Sequence, residues 1–204
     1  MVAGRPSKAL ERRDHILDAM EVCVRENGIA LASLRQIADQ SGLSLQMVSH
    51  YFGNRHSLVL AFVARIASRL SAEIDKAGRG QSPKDRLHHT VRFLCDGRYK
   101  ALAGNDVIGR EIWGLAERDD DVRLIVWDAY ENALDRLKTL VEDAYSHADE
   151  AACQSTAYAI LFLSEANEFF TGISQGSVPP DMAEQLILRL LAELEHAHPV
   201  PVQP

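Results

Sequence analysis

Between Ser33 and Tyr51 the chain starts a helix, stops it and starts another. Ser33 is positioned to N-cap a short helix from Leu34 to about Gln40, because its hydroxyl accepts a backbone N–H of the first turn. Ser41-Gly42 breaks that helix, a second runs from Ser44 or Leu45 to about Tyr51, and Gly53-Asn54 breaks again. Two short helices that meet steeply over a tight turn need a small residue on the first and a residue comfortable at positive φ in the turn. The second helix must also lock one face inward. Ala38, Gly42 and Val48 meet these needs in order, with Ile37 and Leu43 to fill the space between. Together with both caps and the flanking helices, the pattern is that of a helix-turn-helix.

The rest of the chain reads as helix, and no alternating run is long enough for a sheet. Ile16, Leu17, Met20 and Val24 form one stripe that ends at Asn27-Gly28, a C-cap signal. A long helix starts near Arg55 and carries Leu58, Phe62, Ile66 and Leu70 as far as Ala77-Gly78. Ser82-Pro83 opens the next, with proline at the first helical position and Leu87, Val91 and Leu94 on its inner face. Further helices are expected near 105–117, 121–147, 149–176 and 179–197. The predicted fold is therefore all-α with about nine helices. An N-terminal three-helix domain (1–53) is followed by a larger helical domain (54–198) and a loose tail (199–204).

Charge is unevenly spread. The net charge is −7, yet residues 1–60 hold seven Lys/Arg against six Asp/Glu, so the remainder carries −8. The acidic part should point away from a polyanion. The N-terminal part must then hold phosphate with few charges, helped by hydroxyls, amides and helix N-termini. Three widely spaced cysteines, Cys23, Cys95 and Cys153, suggest neither a metal site nor a disulfide framework. They read as small buried hydrophobes, with a redox-sensing thiol as the alternative. No long apolar run and no secretory leader stands out, so a cytoplasmic protein with no membrane partner is expected.

The run Gly42-Leu-Ser-Leu-Gln-Met-Val-Ser-His-Tyr-Phe-Gly-Asn-Arg-His-Ser-Leu58 resembles the DNA-binding region of TetR/AcrR regulators. Its counterpart there is Gly-Val-Ser-x-Gly-x-Leu-Tyr-x-Tyr-Phe-x-Ser-Lys-Glu-x-Leu. Ser49 to Gly53 is closer still to the choline-responsive BetI-like branch. Departures are Ser49 in place of a phosphate-touching tyrosine, Gln46 for a glycine, Arg55 for a lysine and His56 for an acid. The resemblance implies a homodimeric, ligand-responsive repressor of a palindromic operator, with an effector pocket and dimer interface in the C-terminal part.

Geometry assigns candidate roles. The second short helix should enter the major groove, presenting Ser44, Leu45, Gln46, Met47, Ser49 and His50. Gln46 suits a bidentate contact to adenine, and Leu45 or Met47 a thymine methyl. Ser33, Arg35, Tyr51 and Arg55 are candidate phosphate contacts; packing is the alternative for Tyr51, and an exposed bystander the alternative for His50. Gly4-Arg5-Pro6 suggests either a minor-groove arm or a simple tail. For the effector site the candidates are Phe93, Tyr99, Trp113, Trp127, Tyr130, Glu165 and Phe169, with plain core as the alternative. Glu165 and Glu168, with Asn167, interrupt an apolar helix and could meet a cationic ligand. Leu161, Phe162, Leu186, Leu190 and Leu194 are the candidates for a four-helix dimer interface.

No cofactor or metal is expected. His88-His89 and His196-x-His198 do not match HExxH, and no G-x-S-x-G or phosphate-cradling loop occurs, so an enzyme is not expected. The remaining rivals are a helical protein-interaction module without DNA binding, and an activator in place of a repressor.

Overall fold

A computed structural model describes residues 8–79, 82–97, 107–174, 176, 177, 179 and 181–197. Gly4-Arg5-Pro6, Tyr99 and the tail from His198 lie outside the described residues. Among the described residues nine helices run in the order α1 Lys8–Asn27, α2 Leu34–Ser41, α3 Leu45–Phe52, α4 Arg55–Ala77, α5 Pro83–Cys95, α6 Ile108–Ala116, α7 Asp120–Ala144, α8 Glu150–Ile173 and α9 Met182–Ala197. Among the described residues there is no strand.

The helix boundaries follow local chemistry. Ser33 and Ser82 each form a complete capping box, with Gln36 and Asp85 reaching back to the cap N–H. Ser44 and Asp149 cap α3 and α8 with one side-chain bond each. Gly42 ends α2 at φ 66°, in the left-handed region, with its N–H directed at the Ala38 and Asp39 carbonyls.

Two compact units divide the chain: residues 1–67 with 107–126, and 68–106 with 127–204. The first unit extends past residue 53, where the sequence had suggested a boundary. The reason is burial: Leu58, Val59, Phe62, Val63 and Ile66 of α4 are interior, as are Ile16, Met20, Val24, Ile37 and Val48. Arg65 fastens α4 to α1, donating to Asp18 Oδ1 at 2.7 Å, Glu21 Oε2 at 3.1 Å and the Asp14 carbonyl at 3.2 Å. The chain also returns to this unit after residue 106. There α6 and the start of α7 bury Ile108, Ile112 and Val122.

In the second unit α5, the later part of α7, α8 and α9 share a core. It includes Leu87, Val91, Leu94, Leu137, Val141, Ile160, Leu161, Ile187 and Leu191. Arg136 ties α7 to the end of α4 through Ser71 Oγ at 2.8 Å and Asp75 at 3.0 Å.

Candidate nucleic-acid interface

The second short helix divides its residues cleanly. Val48 and Phe52 are buried, while Ser44, Leu45, Gln46, Met47 and His50 are exposed and Ser49 and Tyr51 half-buried. Leu45 at 42% and Met47 at 37% exposure are large apolar side chains left in water within an otherwise polar face.

Local anchors hold α3 from both ends. At its N-terminus the Ser44 hydroxyl accepts the Met47 N–H at 3.2 Å. At its C-terminus Arg13 of α1 donates to the Tyr51 carbonyl and lays its guanidinium 4.2 Å over the Phe52 ring. That contact satisfies a terminal carbonyl, complements the negative helix end and adds a cation–π contact. His15 adds a 2.8 Å contact from Nε2 to the Ser41 carbonyl at the end of α2. The sequence reading gave neither Arg13 nor His15 a role; their partners are 38 and 26 residues away.

The candidate phosphate contacts fare differently from one another. Arg35 is exposed in the first turn of α2. Ser33 has its hydroxyl engaged in the capping box, donating to Gln36 Oε1 at 2.8 Å. Arg55 turns inward: its guanidinium donates to the carbonyls of Ile29, Ala30 and Ala32. It thus braces the α1–α2 loop while the residue remains exposed, a structural role beside the expected phosphate contact. Tyr51 sets its ring edge-on to His50, with centroids 5.4 Å apart.

A second unforeseen residue is Glu111 on α6. Its carboxylate accepts the Ile29 N–H at 2.8 Å, just beyond Gly28, which ends α1 at φ 79°. A Cβ at Gly28 would come within 3.1 Å of that carboxylate, so glycine answers both the backbone and the close approach.

The candidate effector residues divide between the units. Trp113 sits on α6 in the first unit. Trp127 is 51% exposed, and its indole N–H donates to Glu131 one turn on. It is therefore a surface residue, which corrects its assignment to an interior lining. In the second unit Phe93 is buried, Tyr130 stacks on Phe162 at 6.4 Å, and the Tyr158 ring centroid is 4.2 Å from that of Phe162. Phe169 meets Phe170 edge-on at 5.3 Å. Glu165, Asn167 and Glu168 are all buried on α8, as the interruption in the apolar run had suggested. Cys95 lies in the field of Glu184, Glu168 and Asp96, and burial together with those charges pushes its thiol up to about 12. Of these carboxylates Glu168 is buried, whereas Asp96 is exposed and Glu184 is half-buried and paired with Arg92 at 3.5 Å.

Two of the five candidate dimer residues are core instead. Leu161 and Leu194 are buried in their own unit, because they fall on the inward stripes of α8 and α9. The exposed large apolar residues there are Tyr158, Phe170 and Ile173 on α8 and Met182, Leu186 and Leu188 on α9, while Phe162 and Leu190 are half-buried.

A capped α2, a left-handed glycine and an α3 that buries one face and exposes the other define a helix-turn-helix protein. No family model matches the chain. A TetR transcription regulator from Haloarcula marismortui shares the fold, with a TM-score of 0.79 at 17% identity over 90% of this chain and 98% of that one. The regulator BetI from Vibrio campbellii is 24% identical over 55% of this chain and 57% of its own length. The nicotine-responsive repressor HdnoR of Paenarthrobacter nicotinovorans is 26% identical over 76% of this chain and 81% of its own. The chain spans about half the length of the BetI relatives it matches. The chain is thus similar in sequence to transcriptional regulators and shares the fold of solved TetR regulators, and the relatives named here are regulators, not enzymes.

Proposed function

We infer that the chain binds a pseudo-palindromic operator as a homodimer and represses transcription until a small-molecule effector binds its second unit. The observation that carries this reading is the outward face of α3: Leu45, Gln46, Met47 and His50 exposed above a locked Val48 and Phe52. That face has the polar and apolar groups that read base edges and thymine methyls. Arg35 is a phosphate contact at its border. The exposed apolar stripe on α8 and α9, with Phe162, Leu186 and Leu190 from the sequence reading and Tyr158 added, supports a two-fold helical interface. Such an interface repeats α3 for a second half-site. The relatives' role in transcription supports a cytoplasmic location, and among the described residues no helix is long and apolar enough to cross a membrane.

The buried carboxylates Glu165 and Glu168 on α8, with Phe169 on the same helix, support an effector with cationic character, held by carboxylate and π faces. One relative's name, nicotine-responsive repressor, supports effector control in the wider group. Coupling requires only that the effector prefer one arrangement of the protein over the other. The segment 107–126 that carries α6 suits such a relay, since in sequence it lies between two stretches of the second unit while Glu111 holds the end of α1.

Selection of fragments from random duplex DNA by the purified chain, followed by fluorescence anisotropy at rising salt, tests the DNA reading. A two-fold symmetric consensus whose affinity falls steeply with salt is the expected outcome. Absence of DNA affinity even at low salt would leave an interaction module. Analytical ultracentrifugation tests the dimer, with Tyr158→Ser or Leu186→Ser expected to shift it toward monomer.

A further inference from the structure

One cluster in the first unit has no part in the DNA face. His56, in the first turn of α4, points its Nε2 at Asp119 Oδ2 at 3.1 Å and at Asp121 Oδ2 at 3.7 Å. The two aspartates flank the start of α7, 63 or more residues along the chain. All three ligand atoms lie within 4.8 Å of one another.

The surroundings fix these groups without neutralising them. Asp119 uses its other oxygen, Oδ1, to accept the N–H groups of Asp121 and Val122 at 3.1 and 3.2 Å, which turns Oδ2 toward the imidazole. Both arginines of the corner are directed elsewhere. Arg118 donates to the Gly114 carbonyl, and Arg123 bonds Asp120 and the Ala116 carbonyl. Two carboxylates therefore converge on one imidazole, which balances at most one of them. The positive end of α7, about half a charge, does not make up the rest.

We propose that His56, Asp119 and Asp121 bind a divalent transition-metal ion. One imidazole nitrogen and two carboxylate oxygens form the mixed donor set that suits ions such as Zn²⁺, Co²⁺, Ni²⁺ or Mn²⁺. Metal–ligand bonds of about 2.0–2.1 Å separate tetrahedral ligand atoms by about 3.3 Å, and the two His56 distances fall on either side of that value. All three side chains reach solvent, so water completes the coordination sphere. Bound there, the ion ties the first turn of α4, which begins three residues after α3 ends, to the corner between α6 and α7. The site stands whether or not the chain binds DNA, because its evidence is the ligand set alone.

Titration of the full chain with Co²⁺, followed by its visible absorption and paired with equilibrium dialysis against Zn²⁺, tests the proposal. One saturable site is expected, with micromolar affinity. His56→Ala should weaken it tenfold or more, and Asp121→Asn several-fold. Both side chains are exposed, so the fold should survive either change, as circular dichroism would verify. His88→Ala and His196→Ala should leave the site unchanged. If His56→Ala binds as tightly as the parent chain, or if the parent chain shows no saturable binding below about 1 mM, the cluster is only a surface ion pair and the proposal is overturned.

Discussion

The α2–α3 region and the interior of the second unit solve opposite problems. The first is built from short-range instructions: caps at Ser33 and Ser44, a left-handed Gly42, and inward Val48 and Phe52. It is rigid by local chemistry and keeps large apolar side chains in water. The second is built from long helices whose partners are far apart in sequence, and it keeps carboxylates away from water at Glu165 and Glu168. Of an exposed Leu45 and a buried Glu168, the glutamate is the exception to the usual rule of burial, since charged residues are almost never fully buried unless paired.

If the first region owes its shape to one shared core, removing a central side chain should cost it most. Phe62 is fully buried in the first unit, and Phe62→Ala is expected to lose about 3–5 kcal/mol, measured by urea unfolding. A loss under 1 kcal/mol would mean that α4 contributes little to that core, contrary to the division drawn here. Next in size is the exposed face. Gln46→Ala should leave stability unchanged but weaken operator binding by about 1–3 kcal/mol, with relaxed preference at one base position. Uniform weakening across all sequences would assign Gln46 to phosphate instead of base. A smaller effect separates cap from contact: Ser44→Ala removes the Met47 N–H bond and should cost about 1 kcal/mol of stability. If DNA affinity fell while stability held, the hydroxyl would be serving the groove.

What could be read from the sequence follows the same division. Caps, breakers and 3.6-residue periodicity act within a few residues, so the end of α1, both ends of α2, α3 and α4, and the start of α5 came out within a residue or two of their observed positions. The later helices also appeared, although α9 starts at Met182, after Pro179 and Asp181 had suggested an earlier opening. Roles decided by distant partners did not appear. Arg55 suggests a phosphate contact because it starts a helix, and nothing local shows that its guanidinium also braces the α1–α2 loop, 23 to 26 residues back. Arg13, Glu111 and the meeting of His56 with Asp119 depend on contacts that no local spacing encodes. Leu161 and Leu194 were assigned to the dimer face because a single broad apolar stripe does not tell which of its edges meets its own core.

The gentlest test concerns Cys95, and it probes the second unit without disturbing it. Its thiol is buried and sits among Glu184, Glu168 and Asp96, so the thiolate is disfavoured and the ordinary value of 9.0 moves to about 12. A group whose folded pKa is raised contributes stability that is complete below its unfolded value and is lost as pH climbs through the folded one. Between about 9 and about 12 the unfolded chain releases this proton while the folded chain keeps it, so stability should decline over that window and be insensitive to Cys95 at neutral pH. Replacing Cys95 with Ala should flatten the decline, read as the urea midpoint between pH 8 and pH 10.5. The same thiol reports on access. Because only a thiolate reacts readily, labelling by a disulfide reagent at pH 8 should be slow and limited by opening of the structure. Fast labelling of the native chain at Cys95 would mean that reagent and water enter the interior around it freely. The contrast between a sealed second unit and an exposed α3 would then no longer hold.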